Sequence, residues 1–273
     1  MVLLNVNTEE VGFETTIFPD GTSQVWKINP HFVFDEGGEN EVVIVWHFEN
    51  EGELMHVMQL SMLAQKYFKV HDVTLRVPYL PYGRQDKEVS NTLSFALETF
   101  KNILYHAGNI TRIETFDPHS KTDMVHHDEF HGFKTVKQFH DSIMNHDIVC
   151  FPDGGAQTRY ASSFLWKPMI SCEKIRNQLT GEITGLSVHN PLGHELRNKK
   201  ILIVDDICDG GMTFIKVAQA LKESNPNQID LAVSHGIFSK GKQCLHDAGI
   251  ANIYTTNSLL RNKGSFGVLL NYD

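Results

Sequence analysis

Apolar positions along the chain fall into two rhythms. Residues 42–46, Val-Val-Ile-Val-Trp, form a short unbroken apolar run, the pattern of a strand buried on both faces. Residues 53–68 follow, with Leu54, Val57, Met58, Leu60, Met62 and Leu63 at the spacing of one helical face. The two patterns then alternate. Residues 73–77 and 110–116 predict strands, and residues 93–107 predict a helix. A second series starts at 147–151 and continues through strands at 168–172, 200–204 and 231–235, with a helix after Thr213. Such alternation predicts an α/β protein whose sheets are mainly parallel and flanked by crossover helices. The break between the series, near residues 135–145, predicts one domain over 1–140 and another over 141–260. The last strand pattern, at 266–270 in a tail of 261–273, is expected to return to the first sheet.

The most informative stretch is Val204-Asp205-Asp206-Ile207-Cys208-Asp209-Gly210-Gly211-Met212-Thr213. A buried strand is expected to end in two carboxylates, turn on two glycines and enter a helix. Glycines allow close backbone approach, and a helix N-terminus offers N–H groups to an anion. Paired acids repel phosphate but suit a ribose diol or a metal ion. The loop thus joins a phosphate cradle to a diol clamp, at the strand end where open α/β sheets bind ligands.

Other strand ends carry weaker signals. In Pro78-Tyr79-Leu80-Pro81-Tyr82-Gly83-Arg84-Gln85-Asp86-Lys87, Arg84 can fork onto phosphate or stack on a base, and Gln85 can pair with a purine edge. A surface loop with aromatic anchors is an equal reading of this stretch. His119, in Phe116-Asp117-Pro118-His119-Ser120, can bind a metal or a phosphate, although a single such histidine is more often structural. Asp153, before Gly154-Gly155, is a candidate ligand for a hard cation such as magnesium, which takes only one or two protein groups. Lys174 and Arg176 share a face if they lie on a strand, and two cations there can neutralise a transferring phosphoryl group. A solvated β-hairpin explains those two residues as well. His126, His127 and His131, with Asp128 and Glu129, match no standard zinc spacing and read as a solvated segment.

Composition narrows the field. The chain has 273 residues, 41% of them hydrophobic, enough for two domains with real cores. A formal net charge of −9 argues against binding duplex nucleic acid. No apolar run is long enough to cross a bilayer. Residues 1–7 lack the basic start and cleavage site of a secretory signal. The four cysteines, Cys150, Cys172, Cys208 and Cys244, have no zinc or redox spacing and fit reduced thiols in a cytosol.

Taken in order, these stretches resemble the ribose-phosphate diphosphokinases, also called phosphoribosyl pyrophosphate synthetases. Phe18-Pro19-Asp20-Gly21 is similar to that family's Phe-Ser/Pro-Asp-Gly-Glu turn, and residues 78–87 to its Pro-Tyr-x-x-Tyr-Ala-Arg-Gln-Asp-Arg. Asp117-Pro118-His119 is similar to Asp-Leu-His, Pro152-Asp153-Gly154-Gly155 to Pro-Asp-x-Gly-Gly, and Lys174-Ile175-Arg176 to Lys-Arg-Arg. Asp205 to Thr213 is similar to Asp-Asp-x-x-Asp-Thr-Gly-Gly-Thr, and residues 234–239 to Thr-His-Gly-x-Phe-Ser.

The resemblance implies two phosphoribosyltransferase-like domains in a homo-oligomer, commonly a hexamer built from dimers. It implies transfer of the β,γ-diphosphoryl group of ATP, with Mg2+, to the anomeric hydroxyl of ribose 5-phosphate. Arg84, Gln85 and Asp86 would hold ATP, and Phe18 and Asp20 would reach the adenine of a neighbouring subunit. His119 and Asp153 would bind magnesium, with His119 also part of the catalytic set. Asp205, Asp206, Asp209, Gly210, Gly211, Met212 and Thr213 would hold the sugar phosphate, and Lys174 and Arg176 would stabilise the transition state.

Departures from the family pattern sharpen the question of substrate. Thr22 stands where Glu is usual, and Ile175 replaces the middle cation of the lid motif. Gly210 replaces Thr and Met212 replaces Gly, which removes a hydroxyl from the 5-phosphate site and opens space beyond it. That favours a second acceptor, a ribose with an esterified 5-phosphate such as ADP-ribose. A related branch, associated with bacteriophage NAD+ rebuilding, makes ADP-ribose pyrophosphate in this way. A phosphoribosyltransferase would also fit residues 205–213, but the Arg84-Gln85 loop speaks against it. A non-catalytic synthetase subunit would be expected to have lost metal or lid residues that remain here.

Overall fold

A computed structural model describes residues 2–6, 13–28, 42–88, 90–119, 125–127, 144–176, 183–259 and 268–270. The chain divides into two compact units. The first comprises Met1–Glu129 and Ser258–Arg261, and the second Phe130–Asn257 and Asn262–Asp273. The expected boundary at residue 140 lies outside the described residues, as do residues 128–131 of the histidine-rich stretch.

The first unit holds a parallel sheet in the order β1 (Val2–Asn5), β4 (Val42–Val45), β5 (Val73–Arg76), β6 (Arg112–Thr115), β7 (Val125–His127). Two further strands, β2 (Phe13–Ile17) and β3 (Ser23–Ile28), form a separate antiparallel hairpin. Helix α1 spans Glu53–Phe68, the interval its apolar spacing predicts, and buries Val57, Met58, Leu60 and Ala64. It ends where Lys69 adopts a left-handed conformation, φ 56°. Gln59 on this helix clamps the hairpin: its Oε1 accepts from Val25 N at 2.8 Å, and its Nε2 donates to Ser23 O at 3.0 Å. The predicted helix at 93–107 is realised as α2 (Ala96–Asn102) followed by a π-helical turn, Ile103–Ala107.

The second unit carries a larger sheet in the order β10 (Ile183–His189), β9 (Met169–Arg176), β8 (Ile148–Phe151), β11 (Lys200–Cys208), β12 (Gln228–Gly236), β13 (Ile253–Thr256), β14 (Val268–Leu270). Every pairing is parallel except β9 with β10. Among the described residues, helices α3 (Gly154–Tyr160), α4 (Met212–Lys222) and α5 (Gln243–Asp247) accompany it. Alternation along β11 sorts its core. Ile201 and Ile203 cluster with Phe214, Val217 and Leu221 of α4, whereas Leu202 and Val204 cluster with Ala156 and Tyr160 of α3.

The terminal strand corrects an expectation. β14 does not return to the first sheet; it extends the second, pairing Tyr254 with Val268, Thr255 with Leu269 and Thr256 with Leu270. The unpredicted β13 supplies the backbone edge that this last segment joins. Deeper in the sheet, Cys150 on β8 and Cys172 on β9 are buried free thiols with sulfurs 3.9 Å apart. Contact with Cys172 and burial together raise the Cys150 thiol well above its ordinary range.

Candidate functional site

In the second unit, β8, β9, β11 and β12 run parallel, so their carboxyl ends share one edge of the sheet. That edge gathers Asp153, the backbone of Lys174 and Arg176, the acids of β11 and Ser239. The strand β11 does not stop at its acids as expected. Pairing with β12 continues through Ile207↔His235 and Cys208↔Gly236, so Asp205 and Asp206 are strand residues and the turn begins at Asp209.

Asp206 continues the row of Leu202 and Val204 towards α3, where its Oδ2 lies 2.8 Å from Nη1 of Arg159. The carboxylate is almost fully buried, and the ion pair supplies the partner that burial demands. Asp205 behaves differently. Burial first, then the charge of Asp206, with Asp153 adding to it, pushes its carboxyl up to about 8. Its Oδ1 accepts from Asp206 N at 2.9 Å. The two neighbouring acids are therefore distinct, one paired with a cation and one in a site that resists charge.

Gly211 begins α4 in a left-handed conformation, φ 75°, and a Cβ there would lie 2.9 Å from Cδ2 of Leu245. Glycine is required at this position by both conformation and space. No side chain caps α4, and its first turn carries no acidic residue. Thr213 is exposed and Met212 is 53% exposed. The turn is braced from the next strand end. Ile237 N and Phe238 N both donate to Cys208 O, at 2.9 and 3.0 Å, and Ser239 Oγ donates to Asp209 Oδ1 at 2.6 Å.

Asp153 lies half-buried and N-caps α3, its Oδ1 accepting from Ala156 N at 3.0 Å. Lys174 and Arg176 fall on β9, where their backbones pair with Leu186 and Ile183 of β10. The hairpin reading of this segment therefore holds for the described backbone, while residues 177–182 lie outside it. Arg159 was not singled out in the sequence. The available signal is its position on the helix that Asp153 caps, on the turn facing the β11 acids. Ser239 closes the similar His-Gly-Ile-Phe-Ser stretch, and only the fold shows that its hydroxyl meets Asp209.

The first unit gathers its own candidates at one sheet edge. The segments after β5 and β6 are tied together, as Phe116 N and Thr115 Oγ1 both donate to Pro78 O, at 3.1 and 3.3 Å. Residues 80–85 form a tight turn with Gly83 N→Leu80 O at 3.2 Å and Gln85 N→Tyr82 O at 2.9 Å. Tyr82 packs its ring 5.2 Å from that of Phe100 and donates to Glu51 Oε1 at 2.6 Å. Arg84 and Gln85 are exposed on this turn, Asp86 is half-buried, and His119 is exposed at the end of the neighbouring segment. On the hairpin, Asp20 accepts from both the N and Oγ1 of Thr22, at 3.0 and 2.7 Å, bonds that lower its pKa. Phe18 and Asp20 stand exposed at that turn. His119 and Asp153 belong to different units.

Comparison with known proteins places this arrangement. The phosphoribosyl transferase domain family matches residues 167–266. The ribose-phosphate pyrophosphokinase of Saccharolobus solfataricus is 26% identical over 261 residues, covering 91% of this chain and 85% of that protein. That of Porphyromonas gingivalis is 28% identical over 218 residues, covering 74% and 65%. Over most of its length the chain is thus similar to proteins named ribose-phosphate pyrophosphokinases. Its fold agrees with that of the phosphoribosylpyrophosphate synthetase of Mycobacterium smegmatis, at a TM-score of 0.75 and 20% identity over 99% of this chain and 95% of that one. The names of these relatives support an enzyme of the ribose-phosphate diphosphokinase type. Among the described residues no helix is long and apolar enough to cross a membrane.

Proposed function

We propose that the protein transfers the β,γ-diphosphoryl group of ATP to the anomeric hydroxyl of ribose 5-phosphate, releasing AMP. The observation that carries this reading is the acid–glycine turn after β11, in a chain whose relatives are named ribose-phosphate pyrophosphokinases. The α4 N-terminus and Gly210-Gly211 receive the 5-phosphate. Asp206, paired with Arg159, accepts from a ribose hydroxyl, and Asp209 is oriented by Ser239 to do the same. Arg84 and Gln85 hold the nucleotide, with Asp86 behind them. Phe18 and Asp20 serve a neighbouring subunit. The exposed Ile17 and Trp26 on the same hairpin are apolar surface that such a homo-oligomer contact would cover.

The donor set at the β8–β11 edge fits magnesium. Burial first, then Asp206 and last Asp153 raise the Asp205 carboxyl, and a hard cation held at Asp153 would favour its ionised form. Asp153 would hold the ion, and by the family resemblance His119 would be a second, softer ligand. Bound magnesium would supply positive charge that neutralises the transferring phosphates. Lys174 and Arg176 add positive charge as the β-phosphorus is attacked and AMP departs.

A second acceptor is favoured by one feature. Gly210 and Met212 stand where the family pattern has Thr and Gly, so the 5-phosphate site lacks a hydroxyl, which suits ADP-ribose. The test is AMP release from ATP and magnesium with ribose 5-phosphate and, separately, ADP-ribose. AMP formed with either acceptor supports diphosphoryl transfer, and the faster acceptor identifies the substrate. Absence of AMP with both would remove the proposal.

A further inference from the structure

The turn after β12 carries a lysine that the proposed chemistry has not used. Backbone bonds to Cys208 O, the Gly241 N→Phe238 O bond at 2.8 Å, and the Ser239–Asp209 contact fix this turn against the end of β11. Phe238 is left-handed, φ 48°, and Lys242 lies over its ring with Nζ 4.9 Å from the centroid. Lys240 projects from the middle of this braced turn. Its Cγ, Cδ and Cε lie 3.9, 3.6 and 3.7 Å from where a Cβ on Gly210 would stand. The aliphatic stem therefore fills the space beside the glycine that replaces a hydroxyl-bearing residue. Lys240 is exposed, and among the described residues it has no ion pair or hydrogen bond. A cation held on a rigid turn, with its stem packed and its head unpaired, is preorganised for an anion.

We propose that Lys240 binds the 5′-phosphate of the acceptor ribose, supplying from a neighbouring turn the contact that Gly210 cannot make. This rests on the assignment of the β11–α4 turn to the acceptor. The shared ligand chemistry is a phosphate on the ribose 5-oxygen, either terminal as in ribose 5-phosphate or esterified as in ADP-ribose. Lys240 is then a specificity-determining residue that acts on binding rather than on the transfer step.

The experiment compares wild type with Lys240→Met, which keeps the stem and removes the charge, and with Lys240→Arg. Losing a charge-assisted contact is expected to raise KM for the acceptor about tenfold or more in Lys240→Met. Values of kcat and KM for ATP should stay within about twofold, and Lys240→Arg should keep most of the acceptor affinity. Running both acceptors tells whether the terminal or the esterified phosphate is the one held. Unchanged acceptor KM in Lys240→Met, or an equal rise in KM for ATP, overturns the assignment. Calorimetric titration with ribose 5-phosphate and with ADP-ribose separates this from the wider reading. If wild type releases no AMP, diphosphoryl transfer falls. In that case, weaker titration of Lys240→Met still supports the lysine and equal titration overturns it.

Discussion

The turn after β5 and the turn after β11 both end buried parallel strands, yet they are built in opposite ways. The first is shaped by backbone hydrogen bonds and aromatic packing around Tyr82, which leaves Arg84 and Gln85 exposed at its tip. The second is shaped by charge. Arg159 meets Asp206, Asp209 meets Ser239, and Asp205 is driven towards protonation by burial first and then by the charge of Asp206. The comparison teaches that two candidate ligand loops at equivalent sheet positions can be organised by different forces. Stiff apolar anchoring suits a loop that presents long side chains, and internal ion pairing suits one that presents short acids and bare backbone.

Removing the cation behind the second turn should have the largest effect. Arg159→Met takes the Arg159 cation away from the buried Asp206 carboxylate and should cost roughly 3 kcal/mol, read as a fall in the urea unfolding midpoint. The double variant Arg159→Met/Asp206→Asn should recover much of that loss. A single variant as stable as wild type would mean that charge does not organise this turn. A moderate effect is expected from backbone geometry. Gly211→Ala should cost about 1–2 kcal/mol, because its left-handed φ and the nearby Leu245 both oppose a Cβ. Gly210→Ala meets only the Lys240 stem at ordinary contact distance and should stay within about 0.5 kcal/mol. Equal losses at the two glycines would contradict the described turn. The smallest effect belongs to the first turn. Tyr82→Phe deletes the hydrogen bond to Glu51 but keeps the ring packing, so about 0.5–1 kcal/mol should be lost by the same measurement. In the wild type, titration of the Tyr82 phenol should appear displaced up to about 12, by burial first and then by Glu51.

Much of the fold was legible because burial writes itself into residue spacing. The apolar stripe of 53–68 defined α1 to the residue, and the aliphatic runs marked β4, β5, β8 and β11. The hairpin of β2 and β3 was not legible, since Thr15, Gln24 and Lys27 face solvent and leave few apolar positions to betray an alternation. The extension of β11 past its acids was hidden for another reason. Carboxylates read as a strand end, yet the ladder to β12 carries the strand on to Cys208. The helix read over 93–107 proved shorter and ended in a π turn, a backbone adjustment that periodicity does not encode. At the site, the motif residues were visible as chemistry at strand ends. Their supports were not. Arg159 and Lys240 act through space on residues far along the chain, and only the packing of strand beside strand brings them there.

The facing thiols of Cys150 and Cys172 have a practical consequence. They sit on adjacent strands, and one of those strands bears Lys174 and Arg176 at its far end. An alkylating reagent reaches such sulfurs only when the strands part, whereas the less buried Cys244 is open to attack from the native state. The native protein thus carries its own pair of clocks. The slow one times the parting of the sheet beneath those two cations, and the fast one calibrates the reagent.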